Sequence, residues 1–198
     1  MIVAQLFKLR IRGAQIGNSR HIGGFTLVEL LVVITIIIIL AALVLATVGY
    51  VQKKGARSRT EAEIAAMSAA CESYKADNGI YPSNSDTNAL NARSNFDASA
   101  SAYSAASLYL YEQLAGVTSG NRSETSSSRT YFIFKPNMLL PAPPSTADVT
   151  AIRDPFGNSY GYSTIQAATG DSTKGYNPTF DLWSTVNSTD PTQWIKNW

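Results

Sequence analysis

The sequence predicts an α+β fold in which a long N-terminal helix, with a first half that spans a membrane, packs against a small C-terminal antiparallel β-sheet. Three observations support this prediction. A membrane-length apolar run occupies residues 23–48, the polar segment after it keeps a helical period, and the last third of the chain has short aromatic segments between turn residues. These patterns indicate one membrane segment and one modest domain.

The first element is a transmembrane helix. A helix over residues 25–46 rises about 33 Å, which matches the roughly 30 Å hydrocarbon core of a bilayer. Its one charged residue is Glu29. A carboxylate inside such a span costs about 2.5–3.5 kcal/mol on insertion scales, so we expect Glu29 to have a partner.

The same helix is predicted to continue beyond the membrane to about residue 77. Four residues spaced three, four and three apart form one apolar stripe along the polar segment: Ile64, Met67, Cys71 and Tyr74. Asn78 and Gly79, followed closely by Pro82, are typical of a helix end. Because Cys71 lies on the stripe, we expect it to be buried in the core rather than reactive.

The middle of the chain, residues 83–130, is a Ser-, Asn- and Ala-rich insertion with one amphipathic segment. Gly116 is placed to end a helix with an apolar face formed by Tyr103, Ala106, Leu110 and Leu114. The flanks of this helix, residues 83–99 and 117–130, are predicted to be exposed loops.

The C-terminal region, residues 131–198, is predicted to contain the β-structure. Residues 131–134 form a short aromatic strand, and an extended irregular connection follows because of Pro136, Pro141, Pro143 and Pro144. Residues 154–158 (DPFGN) are a strong turn signal. Tyr160 and Tyr162 then alternate as in a strand, and residues 179–183 give another candidate strand.

Composition argues against several classes of function. The net charge is +2, but without the four basic residues before position 24 the chain has 12 basic and 14 acidic residues, so no nucleic-acid partner is expected. The sole histidine, His21, lies in that same segment, and the chain has no phosphate-binding loop and no CxxC pair, so we expect no enzyme activity. A single cysteine permits no intrachain disulfide.

Residues 24–30 (GFTLVEL) resemble the processing site of type IV pilins and type II secretion pseudopilins. The resemblance implies that a prepilin peptidase/methyltransferase cuts after Gly24 and methylates the new N-terminal amine of Phe25. It also implies that Glu29 guides the assembly of a homopolymer. An ordinary secretory signal peptide fits less well, because its cleavage site follows the apolar region.

The resemblance divides the chain into three parts. Residues 1–24 are a basic leader that is removed, residues 25–48 are a transmembrane assembly helix, and residues 49–198 are a periplasmic pilin-like head. Because Lys and Arg favour the cytoplasmic side of a membrane, the leader is expected to lie there.

Further segments are similar to the major pseudopilins of type II secretion: residues 74–82, 154–162, 180–184 and 194–198. With the single cysteine, they imply a structural subunit of a type II secretion pseudopilus, held by one pass in the bacterial inner membrane and extracted into a periplasm-spanning filament. The implied partners are other copies of the chain, minor pseudopilins and the inner-membrane secretion platform. Two alternatives stay open: a type IV pilin for adhesion, motility or DNA uptake, and a membrane-anchored binding module that does not polymerise.

The resemblance also implies a calcium site in the loop at residues 184–193. Calcium prefers oxygen ligands, but this loop has one carboxylate, Asp190, with Asn187, Ser188 and Thr189 as neutral donors. The alternative is that Asp190 turns the loop. No other cofactor is expected.

Overall fold

The computed structural model describes residues 24–122 and 129–198. The predicted leader, apart from its last glycine, and residues 123–128 of the predicted loop lie outside the described residues. The chain divides into two compact units, with the boundary between Ala46 and Thr47, and each unit is described by itself.

In the first unit the apolar run is helical, as predicted. Helix α1 spans Leu27–Asn78, and its residues up to Ala46 belong to this unit, where every described side chain is exposed. Within the described residues, α1 is the one helix that is long and apolar enough to cross a membrane. A helix that is apolar on all faces is covered by a bilayer or by other helices.

In the second unit, α1 turns the predicted apolar stripe toward the core. Ile64, Met67 and Cys71 are buried, and Tyr74 is half-buried against them. The prediction that Cys71 is buried is confirmed, and burial raises the pKa of its thiol. The helix ends one residue past the predicted end, and Gly79 follows with φ of 79°, a conformation that glycine adopts without a Cβ clash.

The segment after α1 is not the exposed loop that was predicted for residues 83–99. It contains a short helix, α2 (Ser85–Ala89), with a capping box at its N-terminus. The Asn84 side chain accepts from the backbone N–H of Thr87 at 2.9 Å, and the Thr87 hydroxyl accepts from the backbone N–H of Asn84 at 2.9 Å. Each residue therefore satisfies a backbone donor of the other.

Burial of Leu90 and Ala92 explains why that loop prediction was wrong. Both side chains are buried in a satellite cluster with Tyr103 and Trp183, which come from other parts of the second unit. Two apolar residues are too few to give a sequence period, but both belong to the cluster that buries Trp183.

Helix α3 (Ser101–Ala115) confirms the predicted amphipathic segment. All four residues of the predicted face are buried: Tyr103, Ala106, Leu110 and Leu114. Gly116 ends the helix in the left-handed conformation with φ of 71°, as predicted. Val117 is buried in the main core, which corrects the prediction that the following loop is exposed from its first residue.

Within residues 24–122 and 129–198, five short strands form two antiparallel sheets, where one sheet was predicted. In chain order the strands are β1 (Leu139–Leu140), β2 (Ala151–Ile152), β3 (Gly161–Ser163), β4 (Asp181–Ser184) and β5 (Ile195–Lys196). Strand β1 pairs with β2, and β4 lies between β3 and β5. A short helix, α4 (Ile165–Thr169), follows β3. The predicted α+β class is confirmed.

Residues 131–134 are not a strand, which corrects the sequence prediction. The backbone N–H groups of Tyr131 and Phe132 donate to the Leu114 carbonyl at 2.7 and 3.0 Å, so this aromatic segment is held at the end of α3. The proline segment is also more regular than predicted, because a 3-10 helix (Pro136–Met138) leads directly into β1. A short apolar run does not reveal whether its partner is a strand or a helix end.

The three-stranded sheet packs on the polar half of α1, as predicted. The main core joins Ile64 and Met67 of α1 to Tyr162 of β3 and Leu182 of β4. Beside this core, the hydroxyl of Tyr160 donates to the Glu63 carboxylate at 2.8 Å. Apolar burial, supported by this polar contact, therefore attaches the helix to the sheet.

Candidate processing and assembly site

The residues just before α1 are exposed and not helical. Gly24, Phe25 and Thr26 have no regular secondary structure, and the side chain of Phe25 is 78% exposed. A Cβ atom at Gly24 would have no atom within 4 Å. Within the described residues, packing therefore gives no reason for a glycine at position 24.

Helix α1 begins at a capping box formed by Thr26 and Glu29. Oε2 of the Glu29 carboxylate accepts from the backbone N–H of Thr26 at 2.9 Å and from the Thr26 hydroxyl at 2.8 Å. In return, the Thr26 hydroxyl oxygen accepts from the backbone N–H of Glu29 at 3.2 Å. Backbone donors in the first turn of a helix lack intrahelical partners, and this arrangement satisfies two of them.

The capping box supplies a partner for Glu29 within its own chain. The position of this carboxylate in an apolar run predicted that it has a partner but not which one, although T-x-x-E before an apolar run is the usual signal of a capping box. Both hydrogen bonds end on Oε2, and Oε1 accepts none within residues 24–122 and 129–198. The second carboxylate oxygen is therefore free to accept from another donor.

The one other polar side chain between Leu27 and Ala46 is also satisfied locally. The hydroxyl of Thr35 donates to the Leu31 carbonyl at 2.8 Å. Because a bilayer core contains no water to hydrogen-bond polar groups, a spanning helix must satisfy them internally. The Thr35 hydroxyl meets that condition, whereas among the described residues Oε1 of Glu29 does not.

The structure places Asp190 in a turn. Its Oδ1 atom accepts from the backbone N–H of Thr192 at 2.9 Å and from the Thr192 hydroxyl at 2.8 Å. These hydrogen bonds lower the pKa of the exposed Asp190 carboxyl below its usual range. Nearby, the indole N–H of Trp194 donates to the Ser188 carbonyl at 2.8 Å. Asp190 thus has the turn role that was the alternative to calcium binding.

Oxygen atoms line a cavity beside this loop, but Asp190 is not among its lining residues. The cavity has a volume of about 210 Å³ and its polar lining includes Asp97, Asn158, Asn187 and Ser188. The described part of the chain holds no group of three His, Cys, Asp or Glu residues that could bind a metal. Calcium binding at Asp190 stays a prediction, and it would depend mainly on neutral oxygen donors.

Two of the segments singled out by sequence resemblance meet at a buried carboxylate. Asp154, the first residue of the DPFGN turn, accepts from the backbone N–H groups of Phe156 and Asn158, each at 2.9 Å. It also accepts from the hydroxyl of Ser184, the last residue of β4. Burial is the main cause that raises the pKa of Asp154, and these hydrogen bonds oppose it.

Residues 19–45 match a family model described as the prokaryotic N-terminal methylation motif. This is the segment in which type IV pilin and pseudopilin precursors are cleaved and methylated, so the match confirms the resemblance found at residues 24–30. The chain is therefore type IV pilin-like in this segment, and the motif implies processing by a prepilin peptidase and assembly into pilus-like polymers. Neither the curated proteins nor the solved structures gave a match.

Proposed function

We propose that this protein is a structural subunit of a type II secretion pseudopilus, which polymerises through its N-terminal helix and drives protein export. The observation that carries the proposal is the methylation motif at residues 19–45, with Glu29 as the one charged residue of an exposed apolar helix. In a simple membrane anchor the capping box would contribute about 1 kcal/mol, less than the roughly 2.5–3.5 kcal/mol that a carboxylate adds to the cost of insertion.

The choice of a pseudopilin rather than a type IV pilin depends on the head, since both kinds of protein carry the motif. Cys71 is the sole cysteine and is buried, so the head contains no disulfide. The DPFGN turn and strand β4, both similar to major pseudopilins, are joined by the hydrogen bond between Asp154 and Ser184. This contact supports treating the two segments as one structural unit of the head.

Processing is proposed to occur between Gly24 and Phe25. Open space surrounds the Cβ position of Gly24, so the folded chain does not itself require glycine there. We attribute the requirement to the prepilin peptidase, which must approach the scissile bond closely. Hydrolysis leaves a carboxylate on Gly24 and a primary amine on Phe25, and the amine is then methylated.

Assembly is proposed to pair the amine of Phe25 with Glu29 of a neighbouring subunit. Thr26 already occupies Oε2 of Glu29 and fixes the orientation of the carboxylate, whereas Oε1 is open. In a bundle of apolar helices, an unpaired amine at Phe25 or an unpaired carboxylate at Glu29 costs free energy. A subunit that adds out of register leaves both groups unpaired, so the pairing favours the correct register.

Before assembly, the subunit is proposed to cross the bacterial inner membrane once. Residues 25–48 lie in the bilayer, residues 49–198 form the periplasmic head, and the leader at residues 1–24 is cytoplasmic until it is removed. The subunit then contacts the secretion platform and minor pseudopilins, which extract it into the filament.

The test compares Glu29→Ala with Glu61→Ala, which removes an exposed acidic residue from the polar half of α1. Each full-length variant is expressed with a prepilin peptidase and a type II secretion platform. Both variants should be cleaved and should resist carbonate extraction from membranes. Glu29→Ala should yield few sheared filaments and little secretion, Glu29→Asp should be intermediate, and Glu61→Ala should match the wild type.

If Glu29→Ala yields as many filaments as the wild type, the proposed pairing of Glu29 with the Phe25 amine is wrong. The membrane-anchored binding module is then favoured. Filaments that assemble with a pilus machinery but fail with the secretion platform would instead favour the type IV pilin.

A further inference from the structure

Lys53 and Lys54 form an exposed cationic pair, called here the lysine pair, on the part of α1 that belongs to the second unit. Tyr50 and Val51 lie just before it and are 71% and 63% exposed. Both positive charges therefore lie within four residues of these large exposed side chains. No acidic residue occurs in the sequence between Glu29 and Glu61 to neutralise them.

Two arginines follow the lysine pair, but they are engaged with the head. Arg57 donates from a guanidinium nitrogen to the Gln193 carbonyl at 3.0 Å. Arg59 forms an ion pair with Glu63, with 2.7 Å between its Nε and the carboxylate oxygen. Arg57 therefore joins α1 to the C-terminal region, whereas the charge of Arg59 is balanced by a carboxylate one turn further along the same helix.

The lysine pair has no corresponding role inside the chain. Within residues 24–122 and 129–198, neither ammonium group forms an ion pair or a hydrogen bond. An ammonium is a strongly hydrated point charge on a flexible apolar stem, so it can extend from the edge of an apolar surface to an anion.

Chain position favours a lipid as the source of that anion. The apolar run ends only a few residues before the pair, and Tyr50 between them is of the residue type enriched where a membrane meets water. Lys and Arg clusters next to a spanning helix attract anionic lipid head groups, each contributing about 1 kcal/mol near the surface.

We propose that Lys53 and Lys54 bind the phosphate groups of anionic phospholipids and so enrich these lipids around the membrane-inserted subunit. The inference rests on the membrane span of the proposed function but not on polymerisation. The lipid contact adds to the free energy that is needed to withdraw a subunit from an anionic bilayer.

The test measures lipid selectivity around the full-length chain in reconstituted bilayers. Spin-labelled phosphatidylglycerol and spin-labelled phosphatidylcholine with matched acyl chains are compared by the fraction that the protein restricts in motion. The variant Lys53→Gln/Lys54→Gln is measured against Lys135→Gln/Lys174→Gln, which makes the same charge change elsewhere in the head. Because the upstream basic residues are present in every sample, the difference between variants isolates the lysine pair.

The wild type and the control should prefer phosphatidylglycerol. Removal of the lysine pair should lower this preference by roughly fivefold if one cation contacts the lipid and by up to roughly thirtyfold if both do, at about 1 kcal/mol per cation. The difference should disappear at 1 M salt, where the screening length is about 3 Å. An unchanged preference in Lys53→Gln/Lys54→Gln would overturn the proposal. If that variant keeps its lipid preference but loses filaments, the partner is protein and the lipid proposal is wrong.

A wild-type chain that fails to resist carbonate extraction would contradict the membrane span itself, and with it the proposed function. A chain that inserts but shows equal association of the two lipids would contradict the lipid inference alone. The two failures are therefore distinguishable.

Discussion

Asp154 is a buried carboxylate that is stabilised by hydrogen-bond donors rather than by a cation. Two backbone N–H groups and the Ser184 hydroxyl donate to it, and it takes part in no salt bridge within the described residues. Burial raises its pKa above the usual range because removal from water disfavours the charged form. The ionised form of Asp154 therefore lowers the stability of the head.

The raised pKa predicts how Asp154→Asn changes the pH dependence of stability. The folded chain binds the proton more tightly than the unfolded chain, so the contribution of Asp154 is greatest below its unfolded pKa and falls as pH rises through the folded pKa. Asn keeps an oxygen acceptor and offers an amide donor to Ser184, but it does not titrate. The melting temperature of the variant relative to the wild type should therefore rise as pH increases above about 4, the usual pKa of an unfolded Asp.

Tryptophan fluorescence of the full-length chain in micelles measures this melting, because all three tryptophans lie in the second unit. Asp154→Ala is the matched control: it leaves three donors unpaired and should lower the free energy of unfolding by about 3 kcal/mol. If the difference in melting temperature between Asp154→Asn and the wild type does not change with pH, burial does not raise the pKa of Asp154.

Among the elements, the start of α1 depends on the hydroxyl of Thr26. Thr26→Val removes the acceptor for the Glu29 N–H and one donor to the Glu29 carboxylate. Loss of such a cap costs about 1 kcal/mol of helix stability. In micelles, amide hydrogen exchange in the first turn of α1 should accelerate about fivefold, which is the rate equivalent of that free energy.

Thr35→Val is the control for the capping prediction. The Thr35 hydroxyl bonds to the Leu31 carbonyl inside the helix, where the backbone already has its intrahelical partners. Exchange in the first turn should stay at the wild-type rate. If Thr26→Val also leaves it unchanged, the capping box does not stabilise the helix start.

The sequence predicted those elements that carry a long period or a strong local signal. Helices α1 and α3 repeat apolar residues over several turns, and the DPFGN turn forms around the side chain of its own first residue. Helix α2 and the strand pair β1–β2 were missed, because elements of five and two residues are too short to show a period. Their stability comes from contacts that are distant in sequence.

The candidate site was predicted in part for the same reason. Gly24, Phe25 and Glu29 form a local motif, so the sequence was enough to single them out. The role of Thr26 was missed, because the motif was considered for processing and not for helix capping. The sequence does not show which of the basic residues at positions 53–59 form contacts within the chain. Among the residues that the structure describes, Arg57 and Arg59 have such partners, whereas the lysine pair does not.

Burial of Leu90 predicts that the segment after α1 is an integral part of the head. Leu90→Ala empties space beside Trp183 and should lower the free energy of unfolding by about 2–5 kcal/mol. Ile133→Ala is the control, because Ile133 is exposed and its truncation should change stability by less than about 0.5 kcal/mol. Urea unfolding followed by tryptophan fluorescence gives both values, and equal effects would contradict the structural role of residues 83–99.

For the whole molecule, charge alone does not orient the chain in a membrane. Four basic residues precede position 24, and four more follow the apolar run at positions 53, 54, 57 and 59. The positive-inside rule counts both flanks, and the two sets of basic residues are equal in number, so the upstream set alone does not fix the orientation. The proposed cytoplasmic placement of the leader therefore depends on its proposed removal by a prepilin peptidase, which makes cleavage the deciding observation.

Cleavage is predicted to give a mature chain that begins at Phe25 with a methylated amine and retains the whole apolar run. The matched pair Gly23→Val and Gly24→Val tests the position, since the two glycines are adjacent and the substitution is the same. Mass spectrometry of membrane extracts should find full processing of Gly23→Val and a retained leader in Gly24→Val. Because Gly24 has open space around its Cβ position, valine there should leave the fold intact, so a loss of cleavage reports on the peptidase. A mature chain that keeps its upstream basic residues, or one that lacks the apolar helix, would contradict the division of this molecule into leader, membrane helix and head.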